Sequence, residues 1–198
     1  MAKIGLRYPV AAVIESEPTG AKPVYGAGFV IGKAITANKN VESTDNPLYA
    51  DDAIAEQDSS FSSGTIELGV ADFGSSIQES LEIQAKMLGH EVVTEDEHKI
   101  LRKKRGDNAP VLGLGFIKTK KMSNVQMFEA TWLYKVKFQL PSESTVTKGE
   151  NVEWQTPTIT GRIMFVESYD NLWEDTALFE TFEDAKSWLN SLANISEA

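Results

Sequence analysis

Adjacent carboxylates are the residues of this sequence with the clearest capacity for chemistry. Asp51 and Asp52 stand side by side, and carboxylate oxygens are the ligands that Ca²⁺ and Mg²⁺ prefer in proteins. The segment around them lacks the alternating acids, the central glycine and the closing glutamate of an EF-hand loop. We therefore favour an acidic surface that faces water or a partner over a metal site.

The other reactive residue types match no catalytic, cofactor or metal motif. His90 and His98 are eight positions apart, which fits no common metal-ligand spacing, and the chain contains no cysteine. Gly113 and Gly115 lack the third glycine and the following helix of a dinucleotide-binding motif, which favours a glycine-containing strand. The sequence contains neither a phosphate-binding P-loop motif nor a G-x-S-x-G nucleophile elbow. We therefore expect a protein that is not an enzyme and that uses no cofactor or metal.

Charge is distributed unevenly along the chain. Lys99–Arg105 is the one basic cluster, and with the lysines at 118–121 it could form a nucleic-acid patch. The formal net charge of −10 argues against a protein whose main task is to grip phosphates, so a solvated basic run is favoured. Residues 42–58 contribute −6 and residues 167–198 contribute −7, which leaves +3 on the remaining body.

Hydrophobic patterning predicts strands together with two helices. The first helix spans 75–88, with Ser75 or Ser76 as its N-cap and Gly89 at its end, and the second spans about 181–193. The strand-like runs are Ile4–Glu15, Val24–Ala37, Thr65–Ala71, Val111–Thr119, Gln126–Leu140 and Val152–Glu167. This order predicts an α+β fold, a mostly antiparallel β-sandwich or barrel with one flanking helix and a C-terminal helix.

Two charged segments interrupt this pattern. Thr94–Asp107 is short of apolar residues, and Thr94 followed by Glu97 is compatible with either a capped helix or a loop. The acidic stretch Tyr169–Leu178 is expected to be irregular. The helix that follows it can dock on its own domain or on a neighbour.

The run Gln126–Leu140 carries apolar residues at every second position. They are Phe128, Ala130, Trp132, Tyr134, Val136 and Phe138. This shared parity predicts a strand with one face that is apolar along its whole length. Its aromatic residues are expected to pack in a core rather than to form a base-stacking platform.

A long segment between two strand-like runs fits no ordinary connection. Asn46–Gly64, within an arm that spans 40–64, is too long for a hairpin turn. It contains apolar residues that a water-exposed loop does not need, namely Leu48, Tyr49, Ile54 and Phe61. We therefore expect a long inter-strand arm that becomes ordered against a partner.

Four stretches of the sequence, taken in order, resemble one protein family. They are LYADDAIAE at 48–56, IELGVADFGSSIQESLEIQAKMLGH at 66–90, APVLGLGFIKTKKMSNVQMFEATWLYKVKF at 109–138 and TKGENVEWQTPTITGRI at 147–163. Together they resemble the major tail tube proteins of long-tailed, non-contractile (siphovirus-type) bacteriophages. The runs that begin WLYK and EWQTPTITG are the most specific, and the resemblance covers most of the chain.

This resemblance implies a structural protein of the virion tail. Residues 1–168 would form a tail-tube β-sandwich with the arm 40–64 and the helix 75–88, and residues 169–198 an acidic C-terminal extension. Such subunits form rings, commonly hexamers, that stack into a tube around a tape-measure protein and meet tail terminator and distal tail proteins. DNA would pass only in transit through an acidic lumen. No membrane would be involved, and assembly would take place in the cytoplasm of the bacterial host.

The resemblance also implies where subunits would join. The self-assembly arm would use Leu48, Tyr49, Asp51, Asp52, Ile54, Glu56 and Phe61. We expect it to dock on a basic patch of the next subunit formed by Arg102, Lys103, Lys104, Arg105, Lys120 and Lys121. The alternative function is a carbohydrate- or receptor-binding β-sandwich module, which would require an exposed aromatic platform.

Charge reversal tests the arm. Replacement of Asp51, Asp52 and Glu56 by Lys is expected to stop tube growth, because the arm would then repel a basic docking patch. Electron microscopy of the purified variant measures this directly. Tubes that form unchanged would refute the hypothesis.

Overall fold

A computed structural model of the chain describes residues 2–50, 53–123, 125–141, 147 and 156–196. Side chains are described for all of these except residues 2, 3, 45–50, 53–59, 77 and 122. The elements in chain order are β1 (Ala2–Ser16), β2 (Val24–Tyr25), β3 (Phe29–Val30), β4 (Gly32–Ala50), β5 (Ala53–Phe73), α1 (Ile77–Leu88), β6 (Glu91–Glu95), β7 (His98–Arg102), β8 (Val111–Met122), β9 (Val125–Phe138), β10 (Thr158–Met164), β11 (Glu174–Phe179) and α2 (Phe182–Ala193).

Antiparallel strand pairing dominates the architecture. One large sheet has the order β2-β1-β8-β9-β10-β5-β4, with β3 beside β1 and β11 beside β9. β6 and β7 pair only with each other, as a separate hairpin. The prediction of an α+β fold built on a mostly antiparallel sheet with two helices is confirmed.

The large sheet buries apolar side chains on both of its faces. Because successive strand residues point to opposite faces, Leu114 and Phe116 enter one core, whereas Ile117 enters the other. The first core also contains Met87 of α1. The second core lies under α2 and contains Leu189. The central strands therefore have no solvated face over most of their length.

The predicted single apolar face of β9 is wrong in its second half. Leu114 pairs with Leu133 and Leu112 pairs with Val136, so β9 carries one extra residue between these two pairs. Such a β-bulge reverses the side to which the following residues point. Phe128, Ala130, Trp132 and Tyr134 consequently lie in the second core, and Val136 and Phe138 lie in the first. The expected burial of the aromatic residues is confirmed.

Two glycines of β8 make room for the largest buried side chain. A Cβ atom at Gly113 would lie 2.3 Å from Cζ2 of Trp132, and one at Gly115 would lie 2.7 Å from its Cε3. Tyr25 packs edge-on against the same indole, with ring centroids 5.3 Å apart. The glycines are therefore spacers within a strand, as the sequence predicted, and Trp132 occupies the space that they leave.

Both helices begin and end where capping residues predict. The Oγ of Ser76 accepts a hydrogen bond from the backbone N–H of Glu79, and Gly89 ends α1 in the left-handed conformation. The Oγ1 of Thr181 likewise accepts from the backbone N–H of Asp184 at the start of α2. Neither helix in the described part of the chain is long and apolar enough to cross a membrane.

The segment Thr94–Asp107 contains no helix, and it is a loop only beyond Arg102. Part of it forms the β6–β7 hairpin, in which Glu95 pairs with His98. The two residues between them, Asp96 and Glu97, have φ angles of 47° and 67°. Two positive φ angles are what the tight type I′ turn of a two-residue hairpin requires, and they are uncommon outside glycine, asparagine and aspartate.

The expectation of an irregular stretch at Tyr169–Leu178 is wrong from Glu174 onward, where β11 begins. β11 pairs with β9 from Leu133 to Phe128, directly beyond the residues of β9 that pair with β10. α2 then docks on its own chain, over the second core. The end of α2 lies so close to residue 28 that only glycine fits there. A Cβ atom at Gly28 would lie 2.1 Å from the carbonyl oxygen of Ala193.

Overfilling the space around Trp132 is expected to weaken the fold. Gly113→Ala should lower the free energy of unfolding by about 1–3 kcal/mol, because the added methyl group collides with a fully buried indole. Gly106→Ala is the matched control, since a Cβ atom there meets nothing within 4 Å. Urea denaturation of both variants measures the difference, and equal stabilities would contradict this account of the packing.

Candidate functional site

The arm predicted at 40–64 is a β-ribbon. β10 pairs with β5 only as far as Gly64, whereas β4 and β5 continue to pair with each other as far as Ala50 and Ala53. Residues 41–50 and 53–63, called the ribbon below, therefore extend beyond the sheet as two strands. At roughly 3.3 Å per residue, the ribbon is about 30 Å long.

The structure describes the arm as two paired strands, and the expectation that a partner orders it stays a prediction. Across the ribbon the two strands satisfy the N–H and C=O groups that face each other, whereas the groups on the outer edges have no strand partner among the described residues. Val41, Glu42 and Thr44 are all exposed, so no buried face imposes apolar alternation at these positions. Sequence periodicity detects strands through such alternation, which is why it missed the ribbon.

The ribbon has open edges on both sides. β4 is the terminal strand of the sheet, and β5 has no second neighbour beyond Gly64 within the described residues. A two-stranded hairpin is marginally stable by itself in water, and unpaired strand edges are templates for another strand. The ribbon is therefore a suitable element for binding another chain.

An aromatic and ionic cluster fixes the base of the ribbon. Phe61 stacks on the indole of Trp173, with ring centroids 4.3 Å apart and planes 1° from parallel. The Nζ of Lys39 lies 5.1 Å from the centroid of the same indole and forms an ion pair with Glu174. Both partners of this ion pair are mostly buried. Phe61 is thus engaged within its own chain, where it anchors the ribbon on the body.

Four of the remaining six residues assigned to the arm lie in the outer part of the ribbon. Through the backbone, Leu48 pairs with Glu56, and Tyr49 pairs with Ile54. The side chains of these four residues lie outside the described set. Asp51 and Asp52 lie entirely outside the described residues, between β4 and β5. Their roles in assembly stay predictions.

Half of the predicted basic patch is paired with carboxylates of the same chain. Arg102 pairs with Glu95, Lys104 with Glu91 and Lys120 with Glu129. The other three members of the predicted patch, Lys103, Arg105 and Lys121, make no ion pair with any residue that the structure describes, and all three are exposed. Within the patch, only these retain charge that is not already neutralised by a neighbour.

The structure also divides the predicted patch between two distant places. Lys103 and Arg105 lie in the connection before β8, close to Asn108, whose Oδ1 accepts a hydrogen bond from Lys137 at 2.8 Å. Lys120 instead pairs with Met127, ten residues away from Lys137 along β9. Ten residues of strand span about 33 Å. Arg102–Arg105 and Lys120–Lys121 therefore do not form one surface.

Glu129 forms ion pairs with two lysines near the C-terminal end of β8, Lys118 and Lys120. It is 8% exposed and lies directly opposite Lys118 in the β8–β9 pairing. Burial raises the pKa of Glu129, but hydrogen bonds from Lys120 and Lys118 outweigh this effect and hold the pKa below its usual range. Lys118 and Lys120 are consequently committed to the fold rather than presented to a partner.

The two histidines are separate and differ in burial. The Nδ1 of His90 lies 2.8 Å from Oδ2 of Asp107, and the His90 side chain is 3% exposed. The pKa of Asp107 is lowered by the backbone N–H of Lys104 and by His90. This contact ties the connection before β8 to the end of α1. His98 is exposed on β7, and the described residues include no cluster of three or more metal-binding side chains.

The chain matches no protein-family model and no curated protein. The geometry of the ribbon and the resemblance in sequence therefore carry the functional argument.

Loss of the stacking contact is expected to release the base of the ribbon. Phe61→Ala should lower stability by about 2 kcal/mol, because a half-buried ring and its stacking partner lose contact. Hydrogen exchange of the β4 and β5 amides should become faster around Gly64. Val41→Ala is the control on the same ribbon, since Val41 is 42% exposed. Unchanged exchange in Phe61→Ala would show that the cluster does not hold the ribbon.

Proposed function

We propose that the chain is the major tail tube subunit of a siphovirus-type bacteriophage, a structural protein whose rings stack into the tail tube. The observation that carries the proposal is the ribbon, a two-stranded projection whose outer edges are unpaired among the residues that the structure describes. The resemblance in sequence includes both part of this ribbon and the strands that support it. The role is architectural and involves no catalytic step.

The ribbon is suited to repeated assembly because the two contacting surfaces differ. A projection on one subunit that binds a separate surface on the next makes a heterologous contact. Contacts of this kind close into rings when the rotation permits it, and they otherwise continue as an open stack. A tube of stacked rings requires both: contacts that close within a ring and contacts that continue from one ring to the next. The fixed base at Phe61 and Trp173 supports this role, because it gives the projection a defined direction.

Acidic charge supports a conduit for DNA. Residues 167–198 carry eight acids and one base, and a lumen lined with carboxylates repels phosphates, so that DNA passes without binding. In the proposed virion the further partners are a tape-measure protein inside the tube and terminator and distal tail proteins at its ends. Assembly takes place in the cytoplasm of the bacterial host.

Negative-stain microscopy of the concentrated protein tests this function. The expected result is rings and hollow tubes. A discrete oligomer that binds glycans would overturn the proposal and would favour a carbohydrate-binding module.

A shortened ribbon provides the matched variant. Residues 44–60 are replaced by Asn-Gly, which closes a tight hairpin between Ser43 and Phe61, two residues that already pair. We expect this variant to fold, as judged by circular dichroism, and to form no tubes. A shortened variant that assembles like the wild type would show that tube formation does not need the ribbon.

A further inference from the structure

We propose that the β6–β7 hairpin, residues 91–102, is a flap that is fixed to the body at its root and held over α1 at its tip by the ion pair between Lys99 and Glu82. Loss of this contact opens the cavity between the hairpin and α1. The flap lies within one chain, so it goes beyond the proposed function and does not depend on assembly.

The hairpin belongs to neither core. Residues 91–102 are all described, and each of them is half-buried or exposed. None of the residues of β6 and β7 is among the described members of the two cores or among the apolar side chains that pack against them. A two-stranded hairpin is marginally stable by itself in water. Its position therefore depends on the few contacts that tie it to the rest of the chain.

The root of the hairpin is held tightly. Gly89, at the end of α1, lies so close to the connection after β7 that a Cβ atom there would be 2.2 Å from the carbonyl oxygen of Asn108. The Nδ1 of His90 lies 2.8 Å from Oδ2 of Asp107, and the His90 side chain is 3% exposed. The same carboxylate oxygen accepts a hydrogen bond of 2.7 Å from the backbone N–H of Lys104. The two ends of the hairpin are thus joined to each other at the end of α1.

The tip of the hairpin stands over an open space. A cavity of about 420 Å³ lies between α1 and the outer half of the hairpin. The helix contributes Gln78 and Leu81 to its lining, and the hairpin contributes Thr94 and residues 97–99. Because Thr94 pairs with Lys99, these two side chains share the face of the hairpin that is directed at α1. The tip is therefore not packed on the helix where the cavity lies.

One ion pair crosses this space. The Nζ of Lys99 lies 2.5 Å from Oε1 of Glu82 on α1. Among the described residues, no other ion pair joins β6 or β7 to α1. Lys99 holds the pKa of Glu82 below its usual range, through its hydrogen bond and then its charge, and Lys86 adds a smaller effect. Glu82 is therefore ionised at neutral pH, and the contact is a true ion pair.

Exposure makes the contact weak enough to be broken reversibly. The side chains of Lys99 and Glu82 are 38% and 47% exposed. Ion pairs in such positions contribute little and are screened by salt, so loss of one shifts an equilibrium by roughly two- to fivefold. The hairpin thus opens more often when the charge on either partner is removed or screened, while its root stays in place.

Opening exposes apolar side chains on both sides of the cavity. Leu81 lies on the helix side. Val92 pairs with Leu101, and each lies two positions along its strand from Thr94 or Lys99, so both point toward α1 as well. All three apolar side chains are half-buried while the flap is closed.

Hydroxyl-radical footprinting of Leu81, read by mass spectrometry, measures the opening because oxidation follows the exposure of the native side chain. In Lys99→Glu, a like charge faces Glu82, and oxidation of Leu81 relative to the 68% exposed Leu140 should rise by about twofold. Lys99→Glu combined with Glu82→Lys restores the attraction and should return the wild-type value. Glu95→Gln is the matched control, since its ion pair has similar exposure but lies entirely within the hairpin.

Salt gives a second measurement on the unmodified chain. About 1 M NaCl shortens the Debye length to about 3 Å and should increase oxidation of Leu81 in the wild type. It should have no such effect in Lys99→Met, which keeps the apolar stem of the side chain without its charge.

Three results would overturn the inference. They are an unchanged rate in Lys99→Glu, a failure of the exchanged pair to restore the wild-type rate, and an equal rise in Glu95→Gln. All of these measurements use dispersed subunits. A flap that stays closed therefore leaves the proposed function intact, and a chain that forms no tubes leaves the flap intact.

Discussion

The need of every strand to have its backbone hydrogen bonds satisfied organises this molecule. β9 meets that need completely, with β8 on one side and β10 followed by β11 on the other. Because it is paired on both edges and buried on both faces, it forms the centre from which both cores extend. The ribbon meets the same need only in part, since each of its strands pairs on one edge. The contrast separates the part of the chain that supports the fold from the part whose strand edges stay open among the described residues.

The sequence allowed the helices to be predicted closely because their ends are specified by local chemistry. Ser76, Gly89 and Thr181 satisfy backbone groups within one turn of themselves, so a few neighbouring residues contain the whole signal. The bulge in β9 could not be predicted in this way. All six residues of the predicted stripe are apolar, and nothing in their order shows where the strand changes sides, because that depends on pairing with β8.

The ribbon and the basic patch were harder to predict, for a related reason. Strand periodicity reflects a difference between a buried and a solvated face, and residues such as Glu42 and Thr44 project where water reaches both faces. Proximity of basic residues along the chain likewise says little about proximity in space. Arg105 and Lys120 are fifteen positions apart, yet β8 carries the chain from one end of the molecule to the other between them.

The cluster at the base of the ribbon also joins an early part of the chain to a late one. Lys39 and Phe61 are made more than a hundred residues before Trp173 and Glu174, which hold them in place. Domains emerge from the ribosome from the N-terminus onward, so the ribbon is synthesised well before its anchor exists. Until Trp173 and Glu174 arrive, nothing in this cluster fixes the direction of the ribbon. If the chain assembles as proposed, nascent subunits in one polysome would lack an oriented projection until the body of each is nearly complete.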